Sequence, residues 1–235
     1  NPLATHTNNV TGFVNLLFAA KESGVDRFVF ASSSSVYGDH PALPKQEPVI
    51  GNPLSPYAVS KRVDELYALV FQQSYGLEVV GLRYFNVFGR RQDPNGQYAA
   101  VIPKWINFLA SGEPCVVFGD GSNSRDFCYV DNVVQANLLA GTGPSQATGR
   151  LYNVGVGGNT DLLELFDILR ENVARHRPET ASTNVKLSHA DERPGDVPHS
   201  QADITAITEA FGYAPSHDVR SGLALTVDWF LAESR

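Results

Sequence analysis

The sequence predicts an α/β chain: an incomplete parallel sheet flanked by helices, followed by a smaller α/β lobe. Three observations carry this. Helical and strand-like periods alternate from the start of the chain. The strand candidates are short, nearly continuous apolar runs, as expected where a strand is covered on both faces. The segments between them have the length of right-handed crossover helices. Past Asn86 the texture shifts to shorter strands and turns. The expected boundary therefore falls between residues 88 and 89, with some later segments returning to the first sheet.

The elements follow in order. Apolar residues recur at helical spacing from Thr7 to Gly24 (Val10, Phe13, Val14, Leu17, Phe18), and Gly24 suits a C-cap. Arg27–Ala31 reads as a buried strand, and the Gly/Pro-containing stretch from Gly38 to Pro56 as a loop. Pro56–Tyr75 is an amphipathic helix and Leu77–Arg83 a second strand. Arg90 to Tyr98 is turn-rich, and Val101–Ala110 is helical. Short strands are expected at Cys115–Phe118 and Phe127–Val130, with a helix over Asp131–Ala140. A strand at Leu151–Val154 and a helix from Asp161 to Arg175 follow, Asp161 lying near the helix start. Arg177 to Ser200 reads as irregular, and a helical region closes the chain.

A net charge of −7 argues against nucleic acid as a partner, which needs a concentrated basic face. No apolar run approaches the roughly 20 residues of a membrane span, and no signal peptide opens the sequence. A cytoplasmic location is the expectation. Cys115 and Cys128 match no metal spacing and read as buried thiols. The chain has no Met and enters a helical pattern directly from Asn1-Pro2-Leu3, so it reads as a fragment of a longer chain.

The chemistry is concentrated in two places. Tyr57 and Lys61 lie four apart on the second helix, so phenol and ammonium share one face. A cation one turn away stabilises a phenolate, which makes Tyr57 a usable base. The first strand ends in Ser32-Ser33-Ser34-Ser35, at the carboxyl end of a parallel strand, where open α/β sheets bind ligands.

The serine run followed by Val36-Tyr37-Gly38, then Ser55-Pro56-Tyr57-Ala58-Val59-Ser60-Lys61, then Leu82-Arg83-Tyr84-Phe85-Asn86-Val87-Phe88-Gly89 occur in order. Together they resemble the extended short-chain dehydrogenase/reductase superfamily. The resemblance spans essentially the whole chain. It implies a Rossmann-type sheet whose N-terminal βαβ portion precedes this sequence, and a nucleotide-sugar-binding lobe over 89–235. It implies NAD as cofactor, with Asn8, Tyr57, Lys61 and the Phe85 region as its contacts. Tyr57 is then the base, Lys61 the cation that tunes it and holds the nicotinamide ribose, and Ser33 the hydroxyl partner. Gly155-Val156-Gly157-Gly158 lacks the spacing of a dinucleotide loop, so the chain alone is expected to bind NAD poorly and to be inactive.

Within the superfamily, 4,6-dehydratases carry an Asp-Glu pair where this chain has Ser34 and Ser35, which disfavours dehydration. The second lobe is similar to UDP-sugar epimerases. Asn86, Arg125, Arg193 and Asp196 match positions that hold UDP, and planar guanidiniums suit a diphosphate. Val116, Val117 and Phe118 are the expected flanks of the uracil. Residues 89–104 and 195–203 resemble the subgroup acting on UDP-N-acetylglucosamine, UDP-N-acetylgalactosamine or their uronic acids. Small residues at Ser200 and Ala100 leave room for a 2-acetamido group, and Val101 is a further expected substrate contact. The resemblance thus implies reversible C4 epimerisation through a 4-keto sugar. It also implies a homodimer, with the helices around Val10–Phe18 and Val63–Phe71 as candidate interface. Two other readings stay open: a UDP-N-acetylglucosaminuronate 4-epimerase, with Ser34 or Ser35 meeting C6, and a non-catalytic or inactive binder of NAD or sugar nucleotide.

Overall fold

The computed structural model describes residues 1–94, 101–179, 185–191 and 197–233. The chain opens on a helical run in three parts: α1 (Pro2–Thr5), a π-helical turn over His6–Thr11, and α2 (Gly12–Glu22). Asn1 caps it, its Oδ1 accepting from the Leu3 and Ala4 amides at 3.1 and 3.2 Å. The run therefore starts earlier than the apolar period implies, because a cap and a first-turn proline carry no hydrophobic signal. It stops before Gly24, whose φ of +67° a residue with a Cβ adopts only with strain.

Next come β1 (Arg27–Ser33), a 3₁₀ turn over Ser34–Tyr37, a long loop, α3 (Pro56–Tyr75) and β2 (Glu78–Tyr84). The Ser55 hydroxyl caps α3 by accepting from the Ala58 amide at 3.1 Å. The remaining elements are β3 (Val87–Phe88), α4 (Val101–Ser111), β4 (Cys115–Phe118), β5 (Ser124–Arg125), β6 (Cys128–Tyr129) and α5 (Val130–Thr142). They continue with β7 (Arg150–Val154), β8 (Thr160–Asp161), α6 (Leu162–His176), β9 (Leu187–Ala190), β10 (His199–Ser200), α7 (Thr205–Phe211) and α8 (Val219–Glu233). Asp161 caps α6 through the Glu164 amide at 2.7 Å.

The main sheet has the order β1-β2-β7, all parallel, from Arg27 beside Glu78 to Ser33 beside Tyr84. Central β2 buries its residues from Val79 to Arg83 without a break. In β1 only Phe30 and Ser32 are buried, and Ala31 is exposed. The expectation of burial on both faces fails at Ala31, while Phe30 and Ser32 on the opposite face are covered. Residues 177–200 are not irregular throughout: β9 pairs with β4 and β10 with β5, both in parallel. With Ser and His among so few residues, β5, β9 and β10 offer no alternating apolar signal.

The helices α2 and α3 cover one face of the sheet through Leu17, Phe30, Ala68, Phe71 and Val79. The other face packs Leu82, Tyr152 and Val154 against Ala136 of α5 and Ile207 and Phe211 of α7. A separate core joins α4, α6 and α8 through Trp105, Ile106, Leu165, Leu169, Leu223 and Val227. Among the described residues no helix is long and apolar enough to cross a membrane. Both cysteines are buried and free.

Candidate active site

The carboxyl ends of β1 and β2 and the first turns of α3 open into one cleft of about 490 Å³. Its walls include Ser33, Ser34, Ser35, Tyr57, Lys61, Asn86, Arg125 and Ser200, residues far apart in sequence. Ser33 ends β1 in extended conformation, and its Oγ accepts from the Ser35 amide at 3.2 Å, which orients the hydroxyl. Ser35 Oγ is buried with no hydrogen-bond partner among the described residues, an arrangement that costs free energy unless something else supplies one. Ser32 turns away and donates to Glu65 Oε1 at 2.6 Å.

Tyr57 sits in the first turn of α3 and is 42% exposed toward the cleft mouth. Its carbonyl accepts from Ser60 Oγ at 2.8 Å, and Ser60 Oγ in turn accepts from Asn9 Nδ2 at 3.0 Å. The π-helical turn thus docks on α3 through Asn9, while Asn8 stays exposed. Lys61 Nζ donates to the Ala31 carbonyl at 3.1 Å and lies 3.6 Å from Asp64 Oδ2. The Phe85 side chain is fully buried against Tyr37, with ring centroids 6.0 Å apart, so only its backbone could meet a ligand.

A second cavity of about 480 Å³ adjoins the first, and Asn86 and Arg125 line both. Its other walls are largely apolar: Val101, Trp105, Phe108, Val116, Val117 and Phe118 among them. Arg125 Nη1 donates to the Ser124 and Pro198 carbonyls, each at 2.9 Å. Parallel pairing of β5 with β10 sets Ser200 beside Arg125. Ala100, Arg193 and Asp196 lie outside the described residues.

Asp126 clasps the segments behind this wall. Its carboxylate accepts from the Val156, Gly157 and Ala202 amides at 2.9, 2.9 and 3.1 Å. The Gly155–Gly158 turn therefore aims amides at a carboxylate of its own chain. Burial pushes Asp126 up to about 6, with those hydrogen bonds opposing the shift. Burial also drives the Cys115 and Cys128 thiols up to about 12, too high for nucleophiles at neutral pH.

Residues 1–155 match the NAD dependent epimerase/dehydratase family. The chain belongs to this family. It is 36% identical to a putative UDP-glucose 4-epimerase of Methanocaldococcus jannaschii, over 100% of this chain and 73% of that protein. It is 38% identical to a UDP-glucose 4-epimerase of Mycolicibacterium smegmatis, over 97% of this chain and 70% of that one. Its fold superposes on the UDP-N-acetylglucosamine 4-epimerase of Methanobrevibacter ruminantium, solved with UDP-N-acetylmuramic acid, with a TM-score of 0.91. That pair shares 39% identity, covering 99% of this chain and 72% of the other.

NAD is the cofactor of this epimerase/dehydratase family, and the cleft fits the nicotinamide end of one. Exposed Ala31 and half-buried Ser33, both small, leave space beside Tyr57 at the end of β1. The Lys61 ammonium donates one hydrogen bond to a carbonyl, which leaves donors for ribose hydroxyls. Sequence reasoning passed over Asn9, Lys45, Asp64 and Glu65. Glu65 had a signal, since it continues the spacing of Tyr57 and Lys61 on α3. Lys45 had none, being a single lysine in a loop.

Proposed function

We propose that this protein catalyses reversible C4 epimerisation of a UDP-N-acetylhexosamine, interconverting UDP-N-acetylglucosamine and UDP-N-acetylgalactosamine. One observation carries the reading: a polar chamber holding Ser33, Tyr57 and Lys61 is joined to an apolar-walled cavity through Asn86 and Arg125. A nucleotide sugar has the same two-part chemistry, a polar sugar and a flat base linked by a diphosphate. Val116, Val117 and Phe118 flank the uracil, and Arg125 and Asn86 meet the linker and inner sugar. The family resemblance adds Arg193 and Asp196 to the grip on UDP and Ala100 to the small residues near the acetamido group, for which Ser200 leaves space.

Tyr57 takes the proton of the 4-hydroxyl as general base, stabilised by the adjacent Lys61 ammonium. The Ser33 hydroxyl hydrogen-bonds the same oxygen, and Ser34 and Ser35 steady the sugar. Bound NAD supplies the reversible oxidation at C4. The 4-keto sugar would then turn within the chamber while its UDP stays anchored, and Tyr57 would return the proton to O4 as C4 regains the hydride it gave up. Orientation and base tuning are the protein's contribution.

A second reading has one specific support. Lys45 lines the same chamber, is 3% exposed, and its Nζ donates to the His40 carbonyl with no carboxylate partner among the described residues. A buried ammonium without a counter-charge is costly, and a sugar carboxylate would supply one. This favours UDP-N-acetylglucosaminuronate as a further substrate of the same site. We also propose a homodimer through α2 and α3, where Leu16, Phe18, Leu66 and Val70 are each about half exposed.

The test uses protein purified from its complete reading frame and given UDP-N-acetylglucosamine with no added NAD. Proton NMR of the anomeric signals should show UDP-N-acetylgalactosamine appearing. Tyr57→Phe should slow this by about 10²–10⁴-fold. No conversion of this sugar or its uronic acid, even with NAD supplied, would overturn the reading.

A further inference from the structure

We propose that Asp64 is a positioning residue for Lys61, holding the catalytic ammonium against the Ala31 carbonyl so that it faces the reaction chamber. The inference rests on the role of Lys61 proposed above. Helix α3 buries two consecutive carboxylates, and they are treated in opposite ways. Glu65, fully buried, accepts from Ser32 Oγ, Arg62 Nη1, Arg83 Nε and Arg83 Nη2 at 2.6 to 3.0 Å. Asp64 is 1% exposed, and neither of its oxygens has a hydrogen-bond partner among the described residues. Its one ion pair among the described residues is with Lys61 Nζ, one turn back on the helix at 3.6 Å.

A buried carboxylate with no donor is expensive, and an apolar residue would pack there at lower cost. What Asp64 gains in return is the Lys61 ammonium. A lysine side chain has four rotatable bonds, and fixing its head between a carbonyl and a carboxylate removes most of that freedom. The Ala31 carbonyl accepts from one side of the ammonium and the Asp64 charge lies on another, while Lys61 lines the cleft with donors to spare.

The same arrangement makes the hold sensitive to acid. Burial raises Asp64 to about 6; the Lys61 charge opposes this, and the neighbouring Glu65 charge adds to it. Titratable groups on the elements packed against α3 are engaged elsewhere. Lys21 of α2 pairs with Glu22, Arg27 of β1 with Glu78 of β2, and Arg83 of β2 with Glu65. Tyr37 and Tyr84 bond to Asn153 and Asn137, and His6 is exposed. As Asp64 takes a proton below about pH 6, Lys61 loses its counter-charge and activity falls.

Two measurements on protein from the complete reading frame test this. First, reductive ¹³C-methylation labels the lysines, and Lys61→Arg assigns the Lys61 signal. In wild type that signal should shift with pH near 6, and in Asp64→Asn it should not. Second, kcat for UDP-N-acetylhexosamine epimerisation should show an acid limb near pH 6 that Asp64→Asn and Asp64→Ala remove. Their neutral-pH kcat should be about tenfold lower, with KM unchanged, since Asp64 touches no substrate. A wild-type Lys61 signal indifferent to pH around 6, or Asp64 variants with the wild-type profile and kcat, would overturn the inference. Full activity in Lys61→Met would instead sink the catalytic reading on which it rests.

Discussion

The carboxylate of Glu65 and the guanidinium of Arg83 meet in a two-pronged ion pair, Nε to Oε1 at 2.8 Å and Nη2 to Oε2 at 3.0 Å. Both side chains are essentially fully buried. The pair ties helix α3 to the central strand β2, and Ser32 of β1 donates to the same carboxylate. From Arg83 the contacts continue to the Tyr37 ring, 4.9 Å away, and from the Tyr37 hydroxyl to Asn153 of β7. One polar line thus crosses the sheet directly beneath the serine run.

Removing one partner of that pair strands the other as a buried charge. Glu65→Ala should therefore lower unfolding free energy by about 3–5 kcal/mol, read from the shift in urea midpoint. A midpoint within error of wild type would show that the pair is dispensable.

The carboxyl of Asp126, held at about 6 by burial against about 3.9 in an unfolded chain, gives a signed pH effect. The folded state binds this proton more tightly than the unfolded one. The contribution of Asp126 is then fully present below about pH 4 and is lost as pH rises through 6. Urea stability of wild type minus that of Asp126→Asn should shrink steadily over that window. A difference that grows with pH would contradict the burial assigned to this group.

Space at Ser200 is the proposed basis for accepting an acetamido group. Ser200→Tyr should reduce kcat/KM for UDP-N-acetylglucosamine by roughly tenfold or more while UDP-glucose is still turned over. Equal losses on both sugars would point to general damage of the chamber.

On the proposed reading, the Lys45 charge separates the neutral sugar from its uronic acid. Lys45→Met, which keeps the stem and removes the charge, should cost about 10-fold to 100-fold in kcat/KM on the uronic acid. Turnover of UDP-N-acetylglucosamine should change little. If the two substrates respond alike, the Lys45 charge does not read the C6 carboxylate.

Much of this molecule was legible in the amino-acid sequence, and the rest was hidden for identifiable reasons. β1, α3 and β2 announced themselves because their apolar residues follow the periods of a packed strand and helix. The serine run and the Tyr57–Lys61 pair are local features, so sequence alone located the chamber that the fold assembles around them. β9 and β10 escaped because edge strands of Ser and His carry no such period, and their pairing is decided by β4 and β5. Asn9, Lys45 and Asp64 were invisible for another reason: each matters through a single neighbour fixed by tertiary packing. Sequence singled out Asn8 as a cofactor contact, and it is its neighbour Asn9 that reaches Ser60.

The central claim is that C4 is oxidised and reduced again within one active site. The most direct measurement supplies UDP-N-acetylglucosamine carrying deuterium at C4 to protein from the complete reading frame, in ordinary water and without added NAD. Mass spectrometry and proton NMR of the UDP-N-acetylgalactosamine formed should find the deuterium retained at C4. Loss of the label to solvent, or dependence of turnover on stoichiometric added NAD, would contradict the account.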